Sequence, residues 1–323
     1  MANRFQVLHH PVLVGILCLI TCAALLAEPG AAADRVNSTK PADGSFIRVQ
    51  RDAKDQPVAL QTAVVRYTSA EGGLVVDLIG AVHVADRSYY QKLNQQMEQY
   101  DVLLYELVAP PGTRIPRGGK PASNNPIALL QQLGKMVLGL EAQTEQIDYT
   151  KKNFVHADLS PQQLMDAVRN RGEDGLSLFL GIMADFIRQQ NLQELKQQKR
   201  PAKEDTDLDI LSLLLDPDAT VKLKRALAQQ LADWASSEAG LGRTLSTLLI
   251  TDRNQAALKV FQAELAKGKK KIGIFYGVGH MADFDKRLRA DFGLKRAGVQ
   301  WLTAWDLRSK SNGLEDILQL FGK

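Results

Sequence analysis

Two histidines stand in the same short frame near opposite ends of this 323-residue chain. Residues 80–86 spell GAVHVAD and residues 277–283 spell GVGHMAD, so a glycine precedes each histidine by three positions. Imidazoles that are held in fixed loops suit metal ligation, provided that the second ring nitrogen finds a partner. His83 and His280 are therefore candidate metal ligands of one shared site.

The glycines of the two frames, Gly80 and Gly277, have a separate role in this hypothesis. Without a Cβ, each lets the backbone turn sharply, with a positive φ if needed, and lets a ligand approach closely. The alternative is that the repeated frame is a packing turn with no chemical role.

Glu106 is the candidate for a third ligand, because it is the charged residue in an otherwise apolar stretch from Leu103 to Val108. Catalytic zinc sites commonly use three protein ligands and leave one position for water. Two histidines and one glutamate suit Zn²⁺, and Mn²⁺ or Co²⁺ are compatible with the same set. The sequence thus predicts a divalent-metal site whose bound water is the nucleophile. Alternatively, Glu106 lies at the solvent-exposed end of a strand.

Arg253 is a candidate for handling the substrate. It falls in the first turn of a predicted helix that Asp252 caps, where the helix dipole favours acids over bases. This placement suggests that Arg253 holds a substrate carboxylate or polarises a carbonyl. An ordinary exposed arginine is the alternative. His156 is predicted to be a loop residue before the helix that begins at Ser160.

The elements that must position these residues follow the same order around each frame. We predict strands at 74–79, 101–108, 272–276 and 299–305, with one helix capped by Asp86 and one capped by Asp283 between the members of each pair. The spacing from the capping Asp to the next strand is 15 residues in the first copy (86 to 101) and 16 in the second (283 to 299). This order predicts an α/β fold in which duplicated β-α-β units form a mixed sheet.

Upstream strands at 46–50 and 60–68 are predicted to join this sheet, with a hairpin turn at Glu71-Gly72-Gly73 before the next strand. Residues 109 to 250 carry apolar residues at helical spacing and are predicted to be almost wholly helical, including a helix over 176–190. We interpret them as a helical insertion that closes over the sheet, or else as an independent helical domain. Parallel sheets place ligand sites in the loops at the carboxyl ends of strands, where both histidines fall.

The first 33 residues predict a secretory signal peptide. Arg4 provides a positive region, residues 11–27 are apolar, and Ala31-Ala32-Ala33 offers small residues for cleavage. The apolar run is shorter than the roughly 20 residues that a spanning helix needs. We therefore expect an exported protein, periplasmic or secreted, with residues 34–323 as its mature domain. If the segment is not cleaved, it would associate the protein with a membrane.

The composition narrows the class of function. The net charge of +4 is small and dispersed along the chain, which argues against a nucleic-acid partner. Both cysteines, Cys18 and Cys22, lie in the predicted signal peptide, so the mature chain would have no disulfide. The sequence has no phosphate-binding glycine loop, no GxSxG and no HExxH, which argues against nucleotide enzymes, serine hydrolases and the common zinc proteases.

The motifs GAVH, YELV, DRN and GVGH, in this order, resemble those of the TraB/GumN/TIKI superfamily. The resemblance spans about residues 60–307 and implies a fold related to the erythromycin-esterase (EreA) and ChaN-like proteins. TIKI members are associated with metal-dependent proteolysis, which implies that His83, Glu106 and His280 are ligand or catalytic positions. It also implies that Arg253 and Asn254 are catalytic neighbours.

The expected function is therefore an exported metal-dependent hydrolase, most directly a metallopeptidase-like enzyme that acts on a peptide or protein. In this hypothesis Glu106 ligates the metal or acts as a base, and Arg253 stabilises the oxyanion. Two alternatives stay open. The protein could sequester a peptide or haem-like ligand without turnover, or it could have a structural role.

Overall fold

The computed structural model describes residues 44–110, 113, 138–170, 219–236 and 250–308. The predicted signal peptide and the predicted helix over 176–190 lie outside these ranges. Within them, no helix combines the length and the apolar character that crossing a membrane requires.

Seven strands form one mixed sheet: β1 (Ile47–Arg51), β2 (Pro57–Thr68), β3 (Val75–Ala81), β5 (Val102–Tyr105), β7 (Phe154–His156), β8 (Lys271–Gly277) and β9 (Lys295–Asp306). The order across the sheet is β9, β2, β3, β8, β5, β7. The long strand β2 pairs with β9 along one side and with both β1 and β3 along the other. Two short strands, β4 (Val84–Ala85) and β6 (Glu141–Ala142), form a separate pair.

Strands β3, β8, β5 and β7 are parallel, whereas β1, β2 and β9 make antiparallel pairs. The apolar run of β8 explains its place between β3 and β5, because a strand covered on both faces needs apolar residues throughout. In the β3–β8 ladder, Gly80 lies opposite Tyr276 and Ala81 lies opposite Gly277. The two histidine frames therefore leave the sheet from neighbouring strands.

The helices are α1 (Arg87–Met97), α2 (Gln143–Gln146), α3 (Pro161–Asn170), α4 (Ala219–Ser236), α5 (Asp252–Ala266) and α6 (Met281–Ala290). Helix α1 joins β3 to β5, and α6 joins β8 to β9, which confirms the predicted order of elements around each frame. The buried face of α1 carries Tyr89, Tyr90, Leu93 and Met97, at the spacing that a helix needs to present one face to a sheet.

The predicted position of Asp86 as the N-cap residue of α1 is confirmed, although its side chain does not cap the helix, and the predicted cap of α6 is wrong. Asp86 lies at the N-cap position of α1, but its carboxylate accepts the Asp306 N–H and the Lys224 ammonium instead of an α1 amide. Helix α6 begins at Met281, so Asp283 lies inside its first turn and accepts from Asn254. Charged and side-chain donors from other elements thus compete successfully for both carboxylates. Asp252, the predicted cap of α5, is instead the first residue of that helix, and Thr251 occupies the N-cap position.

Among the described residues of the middle region, which were predicted to be almost wholly helical, two short strands occur beside the helices. Strand β7 lies within it and extends the sheet next to β5, and β6 pairs with β4 just beyond His83. A strand of three residues is too short to show alternation, so periodicity could not find it. The predicted helix start at Ser160 is confirmed, because Ser160 and Gln163 each accept the other's backbone N–H.

Two glycines in different strands of the sheet offer a matched test of this packing. A Cβ on Gly273, in β8, would lie 2.5 Å from Leu103 Cδ1 and 2.9 Å from Tyr100 Cδ2, whereas a Cβ on Gly298 would meet nothing within 4 Å. We expect Gly273→Ala to lower the free energy of unfolding by about 1–3 kcal/mol, because Leu103 is buried and has no room to move. Gly298→Ala should change it by less than about 1 kcal/mol. Urea unfolding of both variants measures this, and equal effects would contradict the described register.

Candidate functional site

Four candidate site residues lie just beyond the carboxyl ends of the four parallel strands. His83 is two residues past β3, Glu106 follows β5 directly, His280 is three residues past β8, and Asp158 is two residues past β7. In a parallel sheet these ends meet at one edge, which is the usual place for a ligand site. The topology therefore brings residues from widely separated parts of the chain to one place.

Gly277 lies at the centre of this group. A Cβ at this position would be 3.2 Å from Glu106 Oε2, 3.8 Å from His280 Cδ2 and 3.9 Å from His83 Nε2. The structure thus brings His83, Glu106 and His280 together, as the sequence predicts, and the missing Cβ leaves room among them. We call these three residues with Arg253 and Asp158 the strand-end cluster.

The two frame glycines serve close packing and not a special backbone angle. Gly277 has a φ of −53°, and Gly80 is not among the described glycines with positive φ. A Cβ on Gly80 would lie 3.3 Å from both Ala63 O and Met281 Cγ. Neither glycine needs a positive φ, and the close neighbours of each Cβ position explain why glycine is present.

The Glu106 carboxylate is held by a donor on each oxygen. Arg253 Nη2 donates to Oε1 at 2.6 Å, and the Gly277 N–H donates to Oε2 at 2.6 Å. Burial alone would raise the pKa of Glu106, but the Arg253 charge, with smaller contributions from both histidines and the Gly277 N–H, holds it well below its usual range. Glu106 is therefore a carboxylate at neutral pH and a weak base.

Arg253 is buried, with 3% of its surface exposed, so the alternative of an ordinary exposed arginine is wrong. It lies in the first turn of α5, where the helix dipole is unfavourable for a cation. The negative charge of Asp158 offsets this unfavourable position of Arg253. Arg253 Nε donates to Asp158 Oδ1 at 3.0 Å, and Arg253 Nη2 donates to Asp158 Oδ2 at 2.6 Å. The pKa of Arg253 is raised by Glu106 and Asp158 against the effect of burial. The guanidinium is therefore a permanent, fixed charge.

His280 is buried and neutral, and its contacts fix its tautomer. Asn254 Nδ2 donates to His280 O and to Asp283 Oδ2, which turns Asn254 Oδ1 toward His280 Nδ1 at 2.7 Å. The proton is therefore on Nδ1, and Nε2 is left as an acceptor. Burial lowers the pKa of His280 to about 4, although Glu106 acts in the opposite direction. Asn254 thus positions His280, in keeping with the predicted role of an active-site neighbour.

The His83 side chain is exposed, but its backbone is firmly held. The Gln143 N–H donates to His83 O at 2.8 Å, and Trp305 Nε1 donates to Val84 O at 2.8 Å. The Tyr90 hydroxyl donates to Val82 O at 3.0 Å. His83 is therefore an imidazole on a rigid loop with one side open to solvent.

The donor set does not fit a divalent ion while Arg253 holds its described position. Zinc lies about 2 Å from a histidine nitrogen. Arg253 Nη1 already lies 3.4 Å from His280 Nε2, and Arg253 Nη2 occupies Glu106 Oε1. Within the described part of the chain, no group of three or more His, Cys, Asp or Glu residues is arranged to hold a metal. We therefore derive no step that uses a metal.

Asp158 is the site residue that sequence reasoning missed. It ends the run His156-Ala157-Asp158, and the same Ala-Asp pair ends both histidine frames. That shared pair after an apolar stretch was the available signal. His156 itself is the last residue of β7, and its Nε2 contacts Leu107 O, so it ties β7 to the chain just after Glu106.

A cavity of about 310 Å³ lies nearby, between α3 and α5. Its lining includes Leu159 and Asp252, the chain neighbours of Asp158 and Arg253, but no member of the strand-end cluster. We place the candidate site at the strand ends, where titratable groups converge, and not in this cavity.

Comparison of the chain with protein-family models, curated proteins and solved structures gave no significant match. The TraB/GumN/TIKI resemblance therefore stays a prediction that depends on the quoted motifs.

The buried neutral state of His280 predicts a pH dependence of stability. Its folded-state pKa of about 4 is below the ordinary 6.5, so the unfolded chain takes up this proton first as the pH falls. The free energy of unfolding should therefore decrease as the pH falls from 6.5 to 4, by roughly 3 kcal/mol from this group. His280→Gln removes the titrating group and should flatten this part of the curve. Urea unfolding across the window measures the difference, and parallel curves would contradict a buried neutral His280.

Proposed function

We propose that the protein is an exported hydrolase whose strand-end cluster activates a water molecule for attack on a carbonyl carbon. Export follows from the predicted signal peptide, and the peptide bond as the bond cleaved follows from the family resemblance. The geometry itself supports acyl transfer to water in general. A divalent ion, although predicted from the sequence, is not part of this proposal.

The observation that carries the proposal is the space at Gly277. One exposed imidazole, one carboxylate and one buried imidazole all lie within 4 Å of the point that a Cβ would occupy there. A fixed guanidinium stands behind the carboxylate. Titratable groups that converge at the carboxyl edge of a parallel sheet, here with shifted pKa values for Glu106 and His280, are typical of active sites.

The environments of Glu106, His280 and His83 determine which of the three can act as the general base. An efficient general base has a pKa near the working pH. The pKa of Glu106 is far too low for this, and His280 has a pKa of about 4 and is hydrogen-bonded on both sides. His83, whose side chain is exposed, is therefore the proposed base, and Glu106 stabilises the imidazolium that His83 becomes.

The proposed reaction has two steps. The water oxygen bonds to the carbonyl carbon while its proton passes to His83 Nε2, and the carbonyl π electrons move to the oxygen to form a tetrahedral oxyanion. The oxyanion then re-forms the carbonyl, the bond to the leaving nitrogen or oxygen breaks, and His83 returns the proton to that atom. Arg253 supplies a positive charge that needs no reorganisation as the oxyanion forms.

Substitution of His83 tests the proposal. The mature protein, incubated with a peptide library and with simple esters, should release products detectable by mass spectrometry. His83→Gln should lower kcat/KM at least about 100-fold because the base is lost. Its thermal stability should stay near that of the wild type, because the side chain is exposed. Lys54→Gln, in the exposed turn between β1 and β2, is the control and should keep full activity.

Two results would contradict the proposed function. The first is full activity in His83→Gln. The second is tight binding of peptides with no cleavage of any, which would favour the sequestering protein that the sequence leaves open.

Gly277→Ala tests the space among the three side chains. The added methyl group would fill the gap between Glu106 Oε2 and His83 Nε2, so water and substrate lose their place. We expect a loss of kcat/KM of about 100-fold or more, since small displacements in an active site have effects of this size. Gly298→Ala, an exposed glycine with free space around it, is the matched control and should be fully active. Equal activity of the two variants would place the reaction elsewhere.

A further inference from the structure

We infer that the guanidinium of Arg253, held by Asp158, occupies the cation position of the strand-end cluster, so that the site takes no divalent metal ion. This bears on the metal that the sequence predicts and deepens the proposed hydrolase, on whose site it rests. It assigns Asp158 as a positioning residue, which acts through Arg253.

The first support is that every carboxylate oxygen of the cluster already has a donor. Glu106 Oε1 accepts from Arg253 Nη2, and Glu106 Oε2 accepts from the Gly277 N–H. Asp158 Oδ1 accepts from Arg253 Nε and from the Leu159 N–H at 2.7 Å, and Asp158 Oδ2 accepts from Arg253 Nη2. Each of these carboxylate oxygens therefore has its hydrogen bond without a metal ion, and the net charge of Arg253, Glu106 and Asp158 together is −1.

The second support is the direction of the His280 lone pair. Asn254 holds the proton on Nδ1, so Nε2 is the nitrogen available to a metal. That nitrogen faces Arg253 Nη1 at 3.4 Å and Glu106 Oε1 at 3.6 Å. An ion at the usual distance of about 2 Å from Nε2 would be pressed against a guanidinium that carries its own positive charge.

The third support is that Arg253 cannot move aside cheaply. Its departure would leave Asp158, whose side chain is fully buried, without its charge partner. The residues flanking Asp158 are fixed as well, because the Tyr276 hydroxyl donates to Ala157 O and Asp158 follows directly. A guanidinium also matches a carboxylate with two parallel donors, which a metal ion with open coordination sites does not replace.

The test is direct binding of Zn²⁺, Mn²⁺ or Co²⁺ alone to the chelator-treated mature protein. Isothermal titration and elemental analysis after dialysis should show no stoichiometric ion in the wild type. The double variant Arg253→Gln/Asp158→Asn removes both halves of one ion pair and frees Glu106 and His280. It should bind Zn²⁺ at least about tenfold more tightly than the wild type does.

One equivalent of ion bound to the wild type, and lost in both His280→Gln and Glu106→Gln, would overturn the inference. Ion binding that survives these two substitutions lies elsewhere and leaves the inference standing. The wild-type measurement decides the matter even if the double variant does not fold. Failure of the proposed function is distinguishable, because an inactive protein that binds no ion contradicts the hydrolase and not this inference. Hydrolysis that requires an added divalent ion would contradict this inference and leave the proposed hydrolase standing.

Discussion

The interaction on which the rest of the site depends is one buried guanidinium shared by two carboxylates. Arg253 donates to Glu106 and to Asp158 from the same Nη2 atom, and it uses Nε for a second bond to Asp158. Charges that are withdrawn from water are costly unless each is paired and hydrogen-bonded, so none of the three can be removed without leaving another uncompensated. This requirement ties the first turn of α5 to the ends of the paired strands β5 and β7. The ion pairs thus lie at the same edge of the sheet as the two histidines.

Strand order explains why the two histidine frames are neighbours although 197 positions (83 to 280) separate their histidines. Strand β8 enters the sheet between β3 and β5, so the chain after β8 leaves beside the chain after β3. The aspartates of the two frames bind different partners. The Asp of the first frame binds Lys224, a buried lysine of α4, and so attaches α4 to the His83 loop. The Asp of the second frame binds Asn254 of α5 and so attaches the helix that carries Arg253 to the His280 loop. Equivalent residues thus hold different helices over the same edge.

Much of this arrangement could be predicted from local pattern, and the rest could not for identifiable reasons. Apolar runs located the strands β3, β5, β8 and β9, and helical spacing together with the repeated order of elements located α1 and α6. The prediction that His83, Glu106 and His280 come together followed from the rule for parallel strand ends. Asp158 was missed because β7 has three residues, all partly exposed, in a region dominated by helical spacing. The Asp86 and Asp283 carboxylates do not cap α1 and α6 because a carboxylate at a helix start can accept from any nearby donor, and Lys224 and Asn254 come from elements that no local pattern connects to the frames. The metal was predicted from residue types alone, which contain no information about where Arg253 would lie.

The contrast between the two histidines shows how one sequence frame can produce two chemical roles. His280 is enclosed by Asn254, Tyr276 and Arg253, and burial keeps it neutral with its proton on Nδ1. His83 stands in the same frame, but its side chain is exposed, and neighbours hold the loop through the carbonyl oxygens of Val82 and His83. A buried neutral imidazole can orient Arg253 and complete the wall of the site, whereas the exposed imidazole of His83 is accessible to water and substrate. Two equally placed metal ligands would need similar access to one point in space. The unequal burial of His83 and His280 therefore favours a site in which one histidine performs the proton transfer and the other keeps the fixed charges in place.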